Sequence, residues 1–400
     1  MSLLKNDASL ESGSETAAVR SSSLRLRRRQ LLALGGTALL ASAGGGALFS
    51  RELNSTGERW VSASGAVTDN HALAWMQANG TSTSAVAIPF RGHAALAHPT
   101  RDNSVLIISR RPGTVALEID LERGDLVSRF ASSPGHHFSG HACTSADGRY
   151  VFSTEGDNVS GQGRIVVRDA NDYTQLEVFP SNGIGPHDLR MMPNSDLLVV
   201  ANGGILTRPE SGRKALNLDT MQSNLSYLDV SSGRVLAQYQ PADSKSSIRH
   251  LDVTSDGVLV YAVQFQRDAA AHNRIVALAG VQHPGQALQP FKQPEVVLDR
   301  FQDYVGSVAV CNRSRVAGFT SPRGNLAAFW HVDSGECVGY HSMRDVCGIA
   351  VSQEQGAFVL SNSFGEIRLL DTAAITERRD QRFRLAERRW DNHLLVTRAG

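Results

Sequence analysis

From residue 60 onward, polar and apolar positions alternate in short runs separated by turns. Residues 105–109, 114–120 and 126–130 alternate or run apolar, with Pro112-Gly113 and Arg123-Gly124-Asp125 between them. Short β runs punctuated at this spacing predict a meander of antiparallel strands. No stretch shows convincing helical periodicity, and residues 375–388 are the only charged, weak helix candidate.

The meander repeats. Its first strands fall at His93, His141, His187, His250, Gly306, Gly348 and His393, in steps of 42 to 63 residues. Ser145-Ala146-Asp147-Gly148, Pro193-Asn194-Ser195-Asp196 and Ser255-Asp256-Gly257 take the turn after the first strand. Asp120, Asp169, Asp229, Asp333 and Asp371 recur near the end of the third. A repeat of this length with four strands per unit predicts a β-propeller. The chain ends just after the innermost strand that begins at His393, whereas residues 60–90 offer three strands and no first one. Joining them completes a seventh blade and closes the ring, which removes two exposed sheet edges. The expected fold is therefore all-β: one seven-bladed β-propeller over residues 51–400.

Residues 1–50 read differently. Arg27-Arg28-Arg29-Gln30-Leu31-Leu32 precedes a Gly/Ala-rich apolar run to Phe49, with the small triplet Ala41-Ser42-Ala43 inside it. A charged stretch, a moderate apolar stretch and a small-residue site predict a signal peptide of twin-arginine type, cleaved between residues 44 and 55. The run approaches the length of a membrane anchor, but its glycines weaken it. Export to the periplasm is expected, with no stable membrane insertion after cleavage.

Composition narrows the chemistry. Forty Lys+Arg against 39 Asp+Glu give a formal charge of +1, with no electrostatic footprint for nucleic acid. The four cysteines form no Cys-x-x-Cys, which excludes covalent c-type haem and cysteine-based zinc. They are expected as buried thiols, with an oxidised Cys337–Cys347 pair as the alternative. Gly161-Gln162-Gly163 and Gly183-Ile184-Gly185 lack the strand–helix context of a phosphate loop, so no nucleotide cofactor is expected.

Histidine is the pointed signal. His93, His141, His187, His250 and His393 start five of the seven first strands, with His98, His136 and His137 on nearby loops. Equivalent positions in a ring predict side chains that converge on the axial channel. Imidazoles so gathered suit a transition metal such as Fe, Cu, Zn or Ni, with Asp188, Asp252 and Asp391 placed to orient them. A structural reading stands beside this one, in which each imidazole is a hydrogen-bonder on a strand edge. The same rim receives the second-to-third-strand loops: Arg110-Arg111-Pro112-Gly113, residues 153–158, Gln264, residues 321–324 and an insertion at 203–224. Arg110, Arg111, Arg213 and Arg323, with His137 and Asn217, are candidate donors for a carboxylate or phosphate. Glu155 is the candidate acid/base.

Several strings together resemble a known family. They include Arg91-Gly92-His93, Gly135-His136-His137-Phe138-Ser139-Gly140-His141, Gly185-Pro186-His187-Asp188, Arg249-His250, Tyr304-Val305-Gly306-Ser307 and Trp390-Asp391-Asn392-His393. They are similar to an uncharacterised family of twin-arginine-exported bacterial propellers, a domain of unknown function. Such proteins are commonly encoded beside imelysin-like iron-uptake proteins and a di-haem thiol oxidoreductase. The resemblance implies periplasmic iron handling, with those proteins as partners. This chain departs from it at His136, where the family usually has Arg, and at Arg208, where it usually has His. The expectation is a protein binding a metal, iron first, or an iron-bearing anionic ligand. A metal-dependent oxidoreductase or lyase and a non-catalytic docking scaffold are the alternatives.

Overall fold

A computed structural model describes residues 57–65, 70–212 and 214–398. The twin-arginine segment, its cleavage region and Arg213 lie outside the described residues. Leu53–Gly400 forms one compact unit.

Seven four-stranded antiparallel sheets make up the unit. From inner to outer strand, blade 1 runs Gly92–Ala97, Ser104–Ser109, Val115–Asp120 and Asp125–Ala131, and blade 2 runs His136–Thr144, Tyr150–Asp157, Gln162–Asp169 and Gln175–Ile184. The inner strands of blades 3 to 6 are Pro186–Met191, Ser246–Val253, Ser307–Cys311 and Val346–Ser352. Blade 7 is composite. Leu395–Arg398 supplies its inner strand and Glu58–Ser64, Ala72–Gln77 and Thr83–Ala87 the others, with Leu395 opposite Val61 and Arg398 opposite Glu58. The ring closes by the pairing that the sequence predicts.

The turn chemistry follows the repeat. Asp120, Asp169, Asp229 and Asp371 each end a third strand, and each carboxylate accepts a backbone N–H two residues on. This side-chain turn is the reason for Asp at that place. Blade 5 differs: its third strand ends at His331, and Asp333 pairs instead with Arg315. Apolar residues on the faces between blades form the core, with Trp330, Phe319, Phe329 and Phe358 among the fully buried side chains.

Two expectations about elements need correction. Residues 375–388 are not a helix: they hold one 3-10 turn, Arg379–Gln381, and the short outer strand Phe383–Arg384. The α-helix among the described residues is Glu295–Arg300, following Pro294. Residues 153–158 are not a loop, because the strand runs on through Asp157. All four cysteines are free thiols, the expected state, with Cys143, Cys311 and Cys347 buried and Cys337 half-buried. No helix among the described residues is long and apolar enough to cross a membrane.

Candidate functional site

The inner strands of blades 1 to 4 carry His93, His141, His187 and His250, and His393 lies just before that of blade 7. A regular strand sends consecutive side chains to opposite faces. These strands are not regular. Pairing slips between Gly92 and Ala95, Phe138 and Ala142, Pro186 and Asp188, and Ile248 and His250. Each slip is a bulge at or beside the histidine, a device that re-aims a side chain and ends regular pairing. Blade 6 carries the same bulge at Cys347, while blade 5 pairs without one.

The five imidazoles meet on the axis. Neighbouring ring centroids lie 4.6 Å apart for His93–His393 and His141–His393, 4.7 Å for His250–His393, and 4.8 Å for His93–His141 and His187–His250. Two triads, His93/His141/His393 and His141/His187/His250, have one nitrogen from each member within 4.8 Å of the others. Gly140 makes this packing possible: a Cβ there would sit 2.3 Å from His93 Cδ2.

The second layer fixes which nitrogens face the centre. Asp188 Oδ1 lies 3.2 Å from His141 Nδ1. It also accepts the Leu189 N–H at 2.8 Å and Arg190 Nη1 at 2.6 Å, while Oδ2 accepts the Leu251 N–H at 3.0 Å. One carboxylate thus ties blades 2, 3 and 4 and holds the imidazole with Nε2 inward. Burial pushes the Asp188 carboxyl up, but Arg190 and His141 outweigh it and hold it well below the usual carboxylate range. His393 Nδ1 lies 3.3 Å from Ser307 Oγ. Both nitrogens of His93, Nε2 of His141, Nδ1 of His250 and Nε2 of His393 are buried without a hydrogen-bond partner. Burial first, then repulsion between the rings, holds His93, His187, His250 and His393 well below the usual imidazole range. They are neutral at physiological pH, the form in which imidazole ligates a metal.

Two cavities flank this partition. One, of about 560 Å³, opens on the loop rim and touches His93, His187 and His250; the other, of about 370 Å³, touches His141, His250, His393 and Asp188 from the opposite side. Arg110, Arg111 and Arg323 line the first, as the sequence predicts. Arg323 stacks on Tyr304, 4.7 Å from the ring centroid, and Arg110 shares Asp391 with Arg91.

Other expected site residues lie elsewhere. Glu155 is 0% exposed and pinned by Arg168 at 2.7 Å and Arg164 at 3.1 Å. The carboxylate, locked between two guanidiniums inside a sheet, lines neither axial cavity. His137 is bonded to Asn158 and lines neither axial cavity. Asn217 stitches its own loop, accepting the Leu206 N–H and donating to the Gly204 carbonyl. His98 sits past the far end of its strand, bonded to the Ala170 carbonyl at the other rim. His136 pairs with Asp157. Of the predicted orienting carboxylates, only Asp188 contacts an imidazole of the cluster; Asp252 accepts the Val310 N–H, and Asp391 serves the arginines.

Arg249 is one residue of the cavity that pattern reasoning misses, as are Arg267, Asp268, Asp303 and Tyr304, although it stands beside His250. In a regular strand the two would point apart; the bulge at Arg249 turns both inward.

Fold and site together define a class: a seven-bladed propeller whose axis is closed by a cluster of five imidazoles under an arginine-lined bowl. The chain belongs to the family described as "Protein of unknown function (DUF1513)", whose sequence model matches residues 86–397. No curated protein matches it. Among solved structures it is similar to Kuenenia stuttgartiensis hydrazine synthase, with a TM-score of 0.55 and 12% identity over 79% of this chain and 90% of that one. A likeness at that identity concerns the fold.

Proposed function

We propose that the protein binds one transition-metal ion on the propeller axis, through His141 and its neighbouring imidazoles. The observation that carries this is the set of buried ring nitrogens that face one another without hydrogen-bond partners. A buried, unsatisfied donor or acceptor costs about 1–3 kcal/mol. Several of them at one point form an arrangement that a cation relieves at once. The bond from His141 to Asp188 is the carboxylate–histidine pairing that orients metal ligands.

The stoichiometry follows from the same bond. His141 belongs to both triads, and its Nδ1 is engaged by Asp188. Only Nε2 is left, and one nitrogen holds one ion, so the two triads are alternative or merged halves of one site. An all-imidazole set takes Fe(II), Cu, Zn or Ni. We propose iron as the physiological ion and the periplasm as its setting. The resemblance to exported propellers encoded beside iron-uptake proteins supports the first, and the twin-arginine-like residues 27–32 support the second. The test is elemental analysis of protein loaded anaerobically with each ion and desalted. One equivalent, lost in His141→Ala, is expected. No retained ion from any of the four metals, in protein with an intact thermal transition, overturns the reading.

A further inference from the structure

The cavity above the imidazoles has its own chemistry. Arg249 is 5% exposed, its Nε is buried without a hydrogen-bond partner, and the residue forms no salt bridge among the described residues. Arg111 lines the same cavity. A buried cation without a counter-charge, next to a second cation, is costly unless a ligand supplies the missing charge. Gly203 leaves it room: a Cβ there would be 3.2 Å from Arg249 Nε and 3.3 Å from Cζ. Arg323 reaches the same cavity from blade 5 and Arg110 and Arg111 from blade 1; Asp268 and Asp303 also line it, but Asp303 is paired with Arg267 and Arg110 with Asp391, so Arg249 and Arg323 are the cations that face one space of about 560 Å³ from separate sides. That volume lies in the range of small-molecule sites.

We infer that this bowl binds a small polyanion bearing two or more carboxylate or phosphate groups, with one group on Arg249 and another reaching the Arg323–Tyr304 wall. The planar guanidinium fork matches both oxyanions, and charge-assisted bonds to it are strong when buried. Spread over separate walls, the cations favour several anionic groups on one molecule over a single monovalent ion. The inference deepens the reading of this face as a ligand site. The same cavity touches His93, His187 and His250, so the ligand would lie against the metal position, while its binding to the arginines requires no metal.

The experiment is calorimetric titration of metal-free protein with citrate and with pyrophosphate, using acetate as the monovalent control. Saturable one-to-one binding of at least one polyanion is expected, and acetate should be far weaker. Arg249→Gln should weaken it about tenfold or more. Arg323→Gln, at an exposed position where the fold is not at stake, should weaken it by a smaller factor. Arg149→Gln, on an exposed turn outside the cavity, should leave it unchanged. Absence of binding of both polyanions at millimolar concentration, or equal binding by wild type and both arginine variants, overturns the inference. Metal binding is scored separately: loss of the one-equivalent ion with intact citrate binding sinks the metal reading alone, and the reverse outcome sinks this one alone.

Discussion

The sharing of His141 between two triads gives the metal reading a quantitative test. Four-ligand structural zinc sites are worth roughly 10–16 kcal/mol, or about 3 kcal/mol per ligand, so losing one imidazole weakens binding about a hundredfold. His93→Ala removes a member of one triad and leaves His141/His187/His250 whole, and His187→Ala does the converse. His141→Ala breaks both and leaves only pairs.

Thermal shift reads the difference. An ion present at 100 times its dissociation constant stabilises the folded chain by about 2.7 kcal/mol. With unfolding entropy near 2.1 cal/mol/K per residue and about 350 residues in the unit, that corresponds to about 4 °C. At the same ion concentration, a hundredfold weaker site gives about 0.4 kcal/mol, a shift of less than about 1 °C. Raising the metal a hundredfold should restore the full shift in His93→Ala and His187→Ala but not in His141→Ala. Melting of each metal-free variant shows whether the ring is intact. Equal behaviour of the three variants, or two bound ions per chain, would refute the shared-ligand argument.

Other consequences follow from the same contacts. His93, His187, His250 and His393 are held below the ordinary imidazole value of 6.5, so below that pH the unfolded chain takes up protons that the folded chain refuses. The stability they contribute is present above pH 6.5 and falls with acidification, by up to about 1.4 kcal/mol per pH unit for each ring. The melting temperature of metal-free protein between pH 7 and 5 should therefore drop steeply, and His93→Gln should make the slope shallower; an unchanged slope refutes it. Glu155→Gln leaves Arg168 and Arg164 without their counter-charge and should cost about 3 kcal/mol by denaturant unfolding. The metal-induced shift should stay intact, and its loss would return Glu155 to the site. Burial pushes the Cys143 thiol up to about 12 and Cys347 well above its ordinary value. Native alkylation at pH 8, read by mass spectrometry, should spare both; rapid labelling of either contradicts their placement.

What could be read from the sequence and what could not divides along a physical line. The blades were legible because their boundaries are written in turn chemistry: an Asp that ends a third strand caps the next turn through its own carboxylate, whatever the tertiary context. The imidazoles were legible because ring symmetry carries equivalent positions to one axis, so the placement of five histidines needed no knowledge of their partners. The failures lie where a single residue changes register. The repeat alone puts Glu155 in an open loop, but its strand continues to Asp157 and seats the carboxylate in the sheet between two arginines. His98 stands five residues from His93; at about 3.3 Å per residue a strand carries that distance to the opposite rim. Arg249 is the reverse case, a residue that alternation sends away from the channel and a bulge returns to it. Bulges depend on pairing between strands distant in sequence, and no local pattern records them. The same bulges place both the ring nitrogens and Arg249 on the axis; the repeat announces the first, and only the pairing between strands brings in the second.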